Sequence, residues 1–359
     1  MIRKFLILCC CAFVAAAASV SGNETARAGQ SKLAKFEPPE GKVLVFVGQD
    51  NESVGGTDKW SDGYVDHFGV PAGITHYVYF TEGKENPFGG KFDIGSVDGL
   101  NSETRWAAGP MCLRCYLESE QLENTVIHLS ISMEHDDESS VAAGDYDHNI
   151  EELVAFIREF DHLPFLIRIG YEFDGAWNSY EPEAFKIAWW RIVDSLRAEG
   201  LDNFATVLAT YRLDIPDELW EDYWPGDDYV DWLGYSYWDG GTYSDNALDF
   251  ARAKGMPIFI AESTPRGHQL DQSSQQIWEE WFRRYFRHIE ENKDVIKGIS
   301  YINADWDAQP MWKGRGWGNT RIQDNEYLAT RWSETMARDL YVHDVAGTYD
   351  LIRFNPEAP

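Results

Sequence analysis

Apolar positions in this chain gather into short runs, and the polar positions between several of them fall at helical spacing. Eight runs stand out, at residues 42–50, 74–80, 125–133, 164–173, 204–212, 231–238, 257–264 and 296–306. Most are near-continuous in apolar residues, as strands covered on both faces are. Helical spacing marks residues 148–160, 183–199, 246–254 and 274–291, and Gly200 closes the second of these as a C-cap glycine would. Alternating strand and helix predicts parallel βα units. Eight strands in one chain predict an α/β fold of the closed (β/α)8 kind, a TIM barrel, rather than an open doubly wound sheet. No GxGxxG follows the first run, which argues against dinucleotide binding. The stretch 81–124, rich in Gly and Asn, predicts an elaborated loop on the top face. No linker or repeat divides the chain. One barrel domain is expected over residues 36–345, with a C-terminal tail at 346–359.

The first residues read differently. Arg3 and Lys4 precede the apolar run 5–18, which has the length of a signal-peptide core and is short for a membrane span. Small residues follow, with cleavage expected near Ser21 or after Ala28. Residues 1–28 are therefore expected to be a signal peptide and flexible N-terminus, and the mature chain to be secreted or periplasmic without a membrane anchor. Cys9, Cys10 and Cys11 lie in that run, which leaves Cys112 and Cys115. A zinc site would need two more ligands, and no second CxxC exists. In an exported chain the pair reads as a local disulfide.

Composition changes the picture in two ways. The formal charge is −29, from 60 acidic against 31 basic residues. Such a surface repels phosphate backbones and anionic membranes, so nucleic acid is not an expected partner. The chain also carries 15 Trp, 18 Tyr and 19 Phe. Together these favour a neutral ligand with flat apolar faces, such as a polysaccharide or oligosaccharide.

In a βα barrel the chemistry sits at the C-terminal ends of the strands. There the fourth run ends in Tyr171–Glu172–Phe173–Asp174 and the seventh in Ala261–Glu262–Ser263. A carboxylate at such a junction is costly unless paired or used. Arg168, four residues before Glu172, shares its face at strand period and can hold a carboxylate ionised. Two carboxylates across a barrel mouth are the apparatus of glycoside hydrolysis. Trp177, Trp238 and Trp306 follow strands four, six and eight and are expected to contact sugar. Trp312 and Trp317 divide evenly between platform and packing. Trp189, Trp190, Trp278 and Trp281 have helical spacing and read as packing residues. The acidic tracts 134–138 and 145–147 lack EF-hand spacing, and no HExxH or GxSxG is present, so no metal and no cofactor is expected. His135 is a weaker cleft candidate.

The motif Arg168-x-x-x-Glu172, with Gly175 and Trp177 three and five residues beyond the glutamate, resembles the strand-four motif of glycoside hydrolase family 26, the β-mannanase family. That family belongs to a clan of retaining (β/α)8 enzymes with the acid/base on strand four and the nucleophile on strand seven. Residues 188–203, 223–235, 257–263 and the Gly48–Gln49–Asp50–Asn51 segment are similar in a looser way. The resemblance implies that Glu172 is the acid/base and Glu262 the nucleophile. It also implies an endo-acting hydrolase of β-mannan, with β-1,3-xylan, mixed-linkage β-glucan or a marine galactan as further candidates. Two departures bear on substrate. Tyr171 stands where the family has His beside the sugar's 2-hydroxyl, and Asp174 stands where it often has Asn. The tyrosine that the family sets against the nucleophile is expected at Tyr237, with Tyr235 second. Other readings are a non-catalytic surface glycan-binding barrel and a metal-dependent hydrolase or lyase that uses the acidic loop.

Overall fold

A computed structural model describes residues 33–356, apart from 57–60, 87–89, 107–108, 123, 135, 239–245, 270–272 and 344–345. The segment expected to be a signal peptide lies outside the described residues, as does His135. Eight parallel strands form a closed barrel: β1 (Val43–Gly48), β2 (Gly73–Tyr79), β3 (Val126–Ser132), β4 (Phe165–Ile169), β5 (Phe204–Thr210), β6 (Trp232–Tyr237), β7 (Ile258–Ser263) and β8 (Ile296–Ile302). Each pairs with the next, and β8 returns to β1 from Gly298 opposite Leu44 to Ile302 opposite Gly48. This is the (β/α)8 architecture that the alternating pattern predicts, with one strand per apolar run.

The helices follow the helical spacing closely. Asp147–Glu159 and Pro182–Ala198 cover β3 to β5, and Gly200, at φ +72°, takes the left-handed conformation that ends the second. Residues 274–291 are helical throughout but pass through one π turn at Trp278–Phe282. Trp189 and Trp281 are fully buried between barrel and helices, as packing residues should be, and Trp190 and Trp278 pack on the same layer.

Inside the barrel, Phe46 and Phe259 meet edge to face at 4.9 Å. Both rings need the two glycines beside them. A Cβ on Gly73 would come within 2.2 Å of Phe46, and one on Gly298 within 2.3 Å of Phe259. Each buried ring contributes roughly 1.5–3 kcal/mol of hydrophobic stabilisation. At the base, the short helix Thr348–Ile352 packs Ile352 into this inner cluster, and Phe354 meets Phe36 edge to face at 5.6 Å. Those C-terminal residues therefore close the bottom of the barrel. At the other end, the long connection from β2 to β3 folds into an antiparallel ribbon (Thr104–Trp106 with Gly109–Met111) and a turn of helix at Leu113–Leu117. Cys112 and Cys115 are disulfide-bonded at that helix.

Candidate active site

Two local distortions aim carboxylates into the top of the barrel. The first is at the end of β4. The strand stops at Ile169, short of the predicted Phe173, because Gly170 and Glu172 take left-handed conformations at φ +57° and +50°. A non-glycine residue there costs on the order of 1–3 kcal/mol and needs outside support. Asn178 supplies it by donating to the carbonyls of Tyr171 at 2.8 Å and Glu172 at 2.9 Å. The amide of Gly175 donates to the same Glu172 carbonyl at 2.7 Å. A Cβ on Gly175 would meet that oxygen and the Trp177 ring, so the glycine of the motif is a packing requirement.

The second distortion is in β7. Phe259 and Ala261 face the barrel interior while Ile258 and Ile260 face the helices. Strict alternation would turn Glu262 outward. The register slips at this point: Tyr235 pairs with Ile260, but Ser236 pairs with Glu262. This bulge turns Glu262 inward, the re-aiming that bulges commonly perform beside active sites.

The two carboxyl groups meet different surroundings. Arg168 Nη1 donates to Glu262 Oε1 at 2.6 Å, and both side chains are buried. The Tyr77 hydroxyl, on the inner face of β2, accepts from the same Nη1 at 3.2 Å, which sets it beside Glu262. Glu172 Oε1 instead accepts from Ser236 Oγ at 2.6 Å. Burial pushes the Glu172 carboxyl well above the usual range, and the negative charge of Glu262 pushes it further, while Arg168 and Ser236 partly oppose both. Burial, then Glu262, likewise raises Tyr77. Burial thus favours the neutral form of Glu172, while Glu262 is ion-paired to Arg168.

Around the pair lies a cleft of about 510 Å³. Trp177, half exposed, stands edge-on to Tyr211 at 4.6 Å on one side. Trp238, Trp306, Trp312 and Trp317 form a contiguous cluster against which Tyr211 packs, with Trp312 and Trp317 centred 4.5 Å apart. Trp106, from the ribbon in the long loop, lines the cleft with Tyr77, Tyr171 and Met311. Arg266 sits 5.3 Å from the Trp317 ring and donates to the Tyr211 hydroxyl at 3.3 Å.

Several expected site residues take other places. Arg168 does hold a carboxylate, and that carboxylate is Glu262, across the barrel mouth. Tyr171 does line the cleft, and its hydroxyl donates to the Glu134 carboxylate. Asp174 is buried outside the cleft. It accepts from the backbone amide of Tyr211 and lies 3.8 Å from Arg212, so it braces the β5 loop. Tyr235 and Tyr237 do not reach Glu262. They share a parity opposite to Ser236 and point at the helices, where Tyr235 bonds His288 at 2.7 Å and Tyr237 packs on Tyr285 and His288. Tyr77 is the tyrosine that stands beside Glu262, on the shared Arg168 Nη1. Trp177, Trp238 and Trp306 all line the cleft.

The acidic tracts are engaged within the protein. Asp137 takes the Tyr146 hydroxyl at 2.9 Å and Lys84 at 2.8 Å, Glu138 takes the Glu181 amide at 3.1 Å, and Asp147 takes both arms of Arg191 at 2.6 Å. Among the described residues no group of His, Cys, Asp and Glu is placed to hold a metal.

No family model matches the chain. It is 33% identical to the β-1,3-xylanase TXYA of a Vibrio species, over 86% of this chain and 67% of that one. It is 34% identical to a β-1,3-xylanase of an Alcaligenes species, over 86% and 66%. The chain thus spans about two thirds of the length of these relatives. In fold it is similar to the catalytic domain of an endo-β-1,4-mannanase from Bacillus sp. JAMB-750, with a TM-score of 0.57 at 15% identity over 88% of this chain and 90% of that one.

Proposed function

Because the chain belongs to glycoside hydrolase family 26, together with the β-1,3-xylanases it matches, we propose that it cleaves β-1,3-xylan with retention of configuration, Glu172 serving as acid/base and Glu262 as nucleophile. That it is a glycoside hydrolase acting on β-linked polysaccharide follows from the family itself. The choice of β-1,3-xylan over β-mannan rests on the two xylanase relatives. It agrees with Tyr171, which departs from the mannanase pattern at the residue before the acid/base.

The observation that carries the mechanism is the unequal setting of the two carboxyl groups. Glu262, ion-paired to Arg168 and touched by Tyr77, is ready to attack the anomeric carbon. Glu172, kept protonated by burial, gives its proton to the departing oxygen. Ester formation neutralises Glu262. That removes the second cause of Glu172's raised pKa, so Glu172 releases its proton more readily and can take one from water in the second step. The cleft tryptophans offer flat faces to the C–H faces of the sugars. Export is part of the proposal, supported by the basic-then-apolar residues 3–18 and by the Cys112–Cys115 disulfide.

The test is a hydrolysis panel of β-1,3-xylan, β-1,4-xylan, β-mannan and mixed-linkage β-glucan. New reducing ends are expected from β-1,3-xylan, with none from Glu172→Ala or Glu262→Ala enzyme. A preference for mannan would overturn the substrate, and turnover that survives Glu262→Ala would overturn the mechanism.

A further inference from the structure

The two-carboxylate chemistry makes no demand on Ser236, yet the fold places this residue with care. It lies on the inner face of β6, buried, opposite Glu262 by virtue of the β7 bulge. Its hydroxyl crosses to Glu172, donating to Oε1 at 2.6 Å. A carboxyl oxygen that accepts a hydrogen bond of this length is a poor place for the acid's own proton, because two hydrogens would then crowd one oxygen. The other oxygen, Oε2, is left to carry it.

We propose that Ser236 is a positioning residue: by holding Glu172 Oε1 as an acceptor, it places the transferable proton on Oε2. The inference rests on Glu172 being the acid/base. In the first step the Oε2–H bond breaks and the proton goes to the leaving oxygen, which keeps the electron pair of the broken C–O bond. The negative charge left on Glu172 spreads to Oε1, where the Ser236 donor already points, so the hydrogen bond becomes charge-assisted as the transition state forms. In the second step the same carboxylate takes a proton from water with Oε1 still held.

The experiment compares Ser236→Ala and Ser236→Thr with wild type on two probes, a β-1,3-xylo-oligosaccharide and a 2,4-dinitrophenyl β-xyloside. The sugar leaving group needs the proton and dinitrophenolate does not. For Ser236→Ala, kcat/KM on the oligosaccharide should fall about 10- to 100-fold, while that on the dinitrophenyl substrate stays within about 3-fold. The basic limb of the oligosaccharide profile should move to higher pH, since the lost bond favoured the charged form of Glu172. Ser236→Thr, which keeps the hydroxyl, should behave as wild type. Equal losses on both probes, no loss on the oligosaccharide, or a Thr variant as poor as Ala would each overturn the proposal. Glu172→Ala is run beside them. If that variant still turned over the oligosaccharide, the acid/base assignment itself would fail, whatever Ser236 does.

Discussion

Replacing Arg168 with Met isolates the ion pair that holds Glu262, the proposed nucleophile. The Arg168 and Glu262 side chains are 0% and 9% exposed, and their charged atoms are 2.6 Å apart. With charge centres about 4 Å apart and an effective dielectric near 20, the attraction is about 4 kcal/mol. Removing one partner of such a pair leaves a buried charge unmatched and typically costs about 3–5 kcal/mol. About 300 described residues imply an unfolding entropy of roughly 0.6 kcal/mol/K, so the melting temperature should fall by about 5–8 °C. Urea unfolding followed by tryptophan fluorescence would measure the free energy directly. Replacing both residues, Arg168→Met with Glu262→Leu, removes the unmatched charge and should bring stability back to within about 2 kcal/mol of wild type. A single variant that lost less than about 1 kcal/mol would refute the reasoning, because the pair would then behave as a solvated surface ion pair.

Tyr77→Phe keeps the ring and removes the hydroxyl that shares Arg168 Nη1 with Glu262, so kcat should drop about 10- to 100-fold with little change in KM or melting temperature, as steady-state kinetics and calorimetry would show. Glu172 has a raised pKa and works as an acid, so kcat/KM should fall as pH rises through that pKa, and Glu172→Gln should lack this limb in its pH profile. The same shift carries a stability sign. A carboxyl whose native pKa is raised favours the fold fully below its ordinary pKa and loses that contribution as pH rises through the native value, so wild type should lose stability to alkali faster than Glu172→Gln in denaturant titrations. Trp177→Ala removes a half-exposed cleft ring and should weaken oligosaccharide binding by about 1–2 kcal/mol in calorimetric titration, with the melting temperature nearly unchanged.

The barrel was legible because each of its strands is an apolar run separated from the next by polar or helical residues. The strand ends were not. The fourth run reads as extended through Phe173, but the left-handed turns at Gly170 and Glu172 depend on Asn178, and residue spacing does not reveal that bond. Both cleft carboxyl groups, Glu172 and Glu262, are legible from their place after a strand. Their partners were misassigned because β6 is apolar on both faces. Tyr235–Ser236–Tyr237–Trp238 offers no polar side to choose, so spacing does not reveal that Ser236, and neither tyrosine, faces the carboxyl groups. Alternation in Thr75-x-Tyr77-x-Tyr79 was the available signal for Tyr77, since Thr75 bonds Ser300 inside the barrel at 2.6 Å. The β7 bulge left no such mark, because the slip belongs to the pairing of two strands and neither strand shows it alone. The Trp106 contribution depends on how the 81–124 loop folds back, which is a tertiary fact.

The central claim is that Glu262 forms a bond to the sugar while Glu172 manages the proton. Incubation with a 2,4-dinitrophenyl 2-deoxy-2-fluoro-β-xyloside, followed by peptide mass spectrometry, tests it most directly, since the fluorine slows both steps and the good leaving group restores the first. A stoichiometric fluoroglycosyl adduct is expected on the peptide that contains Glu262, and no adduct in the Glu262→Gln variant. An adduct on Glu172, or rapid turnover to inverted product with no adduct at any residue, would contradict it.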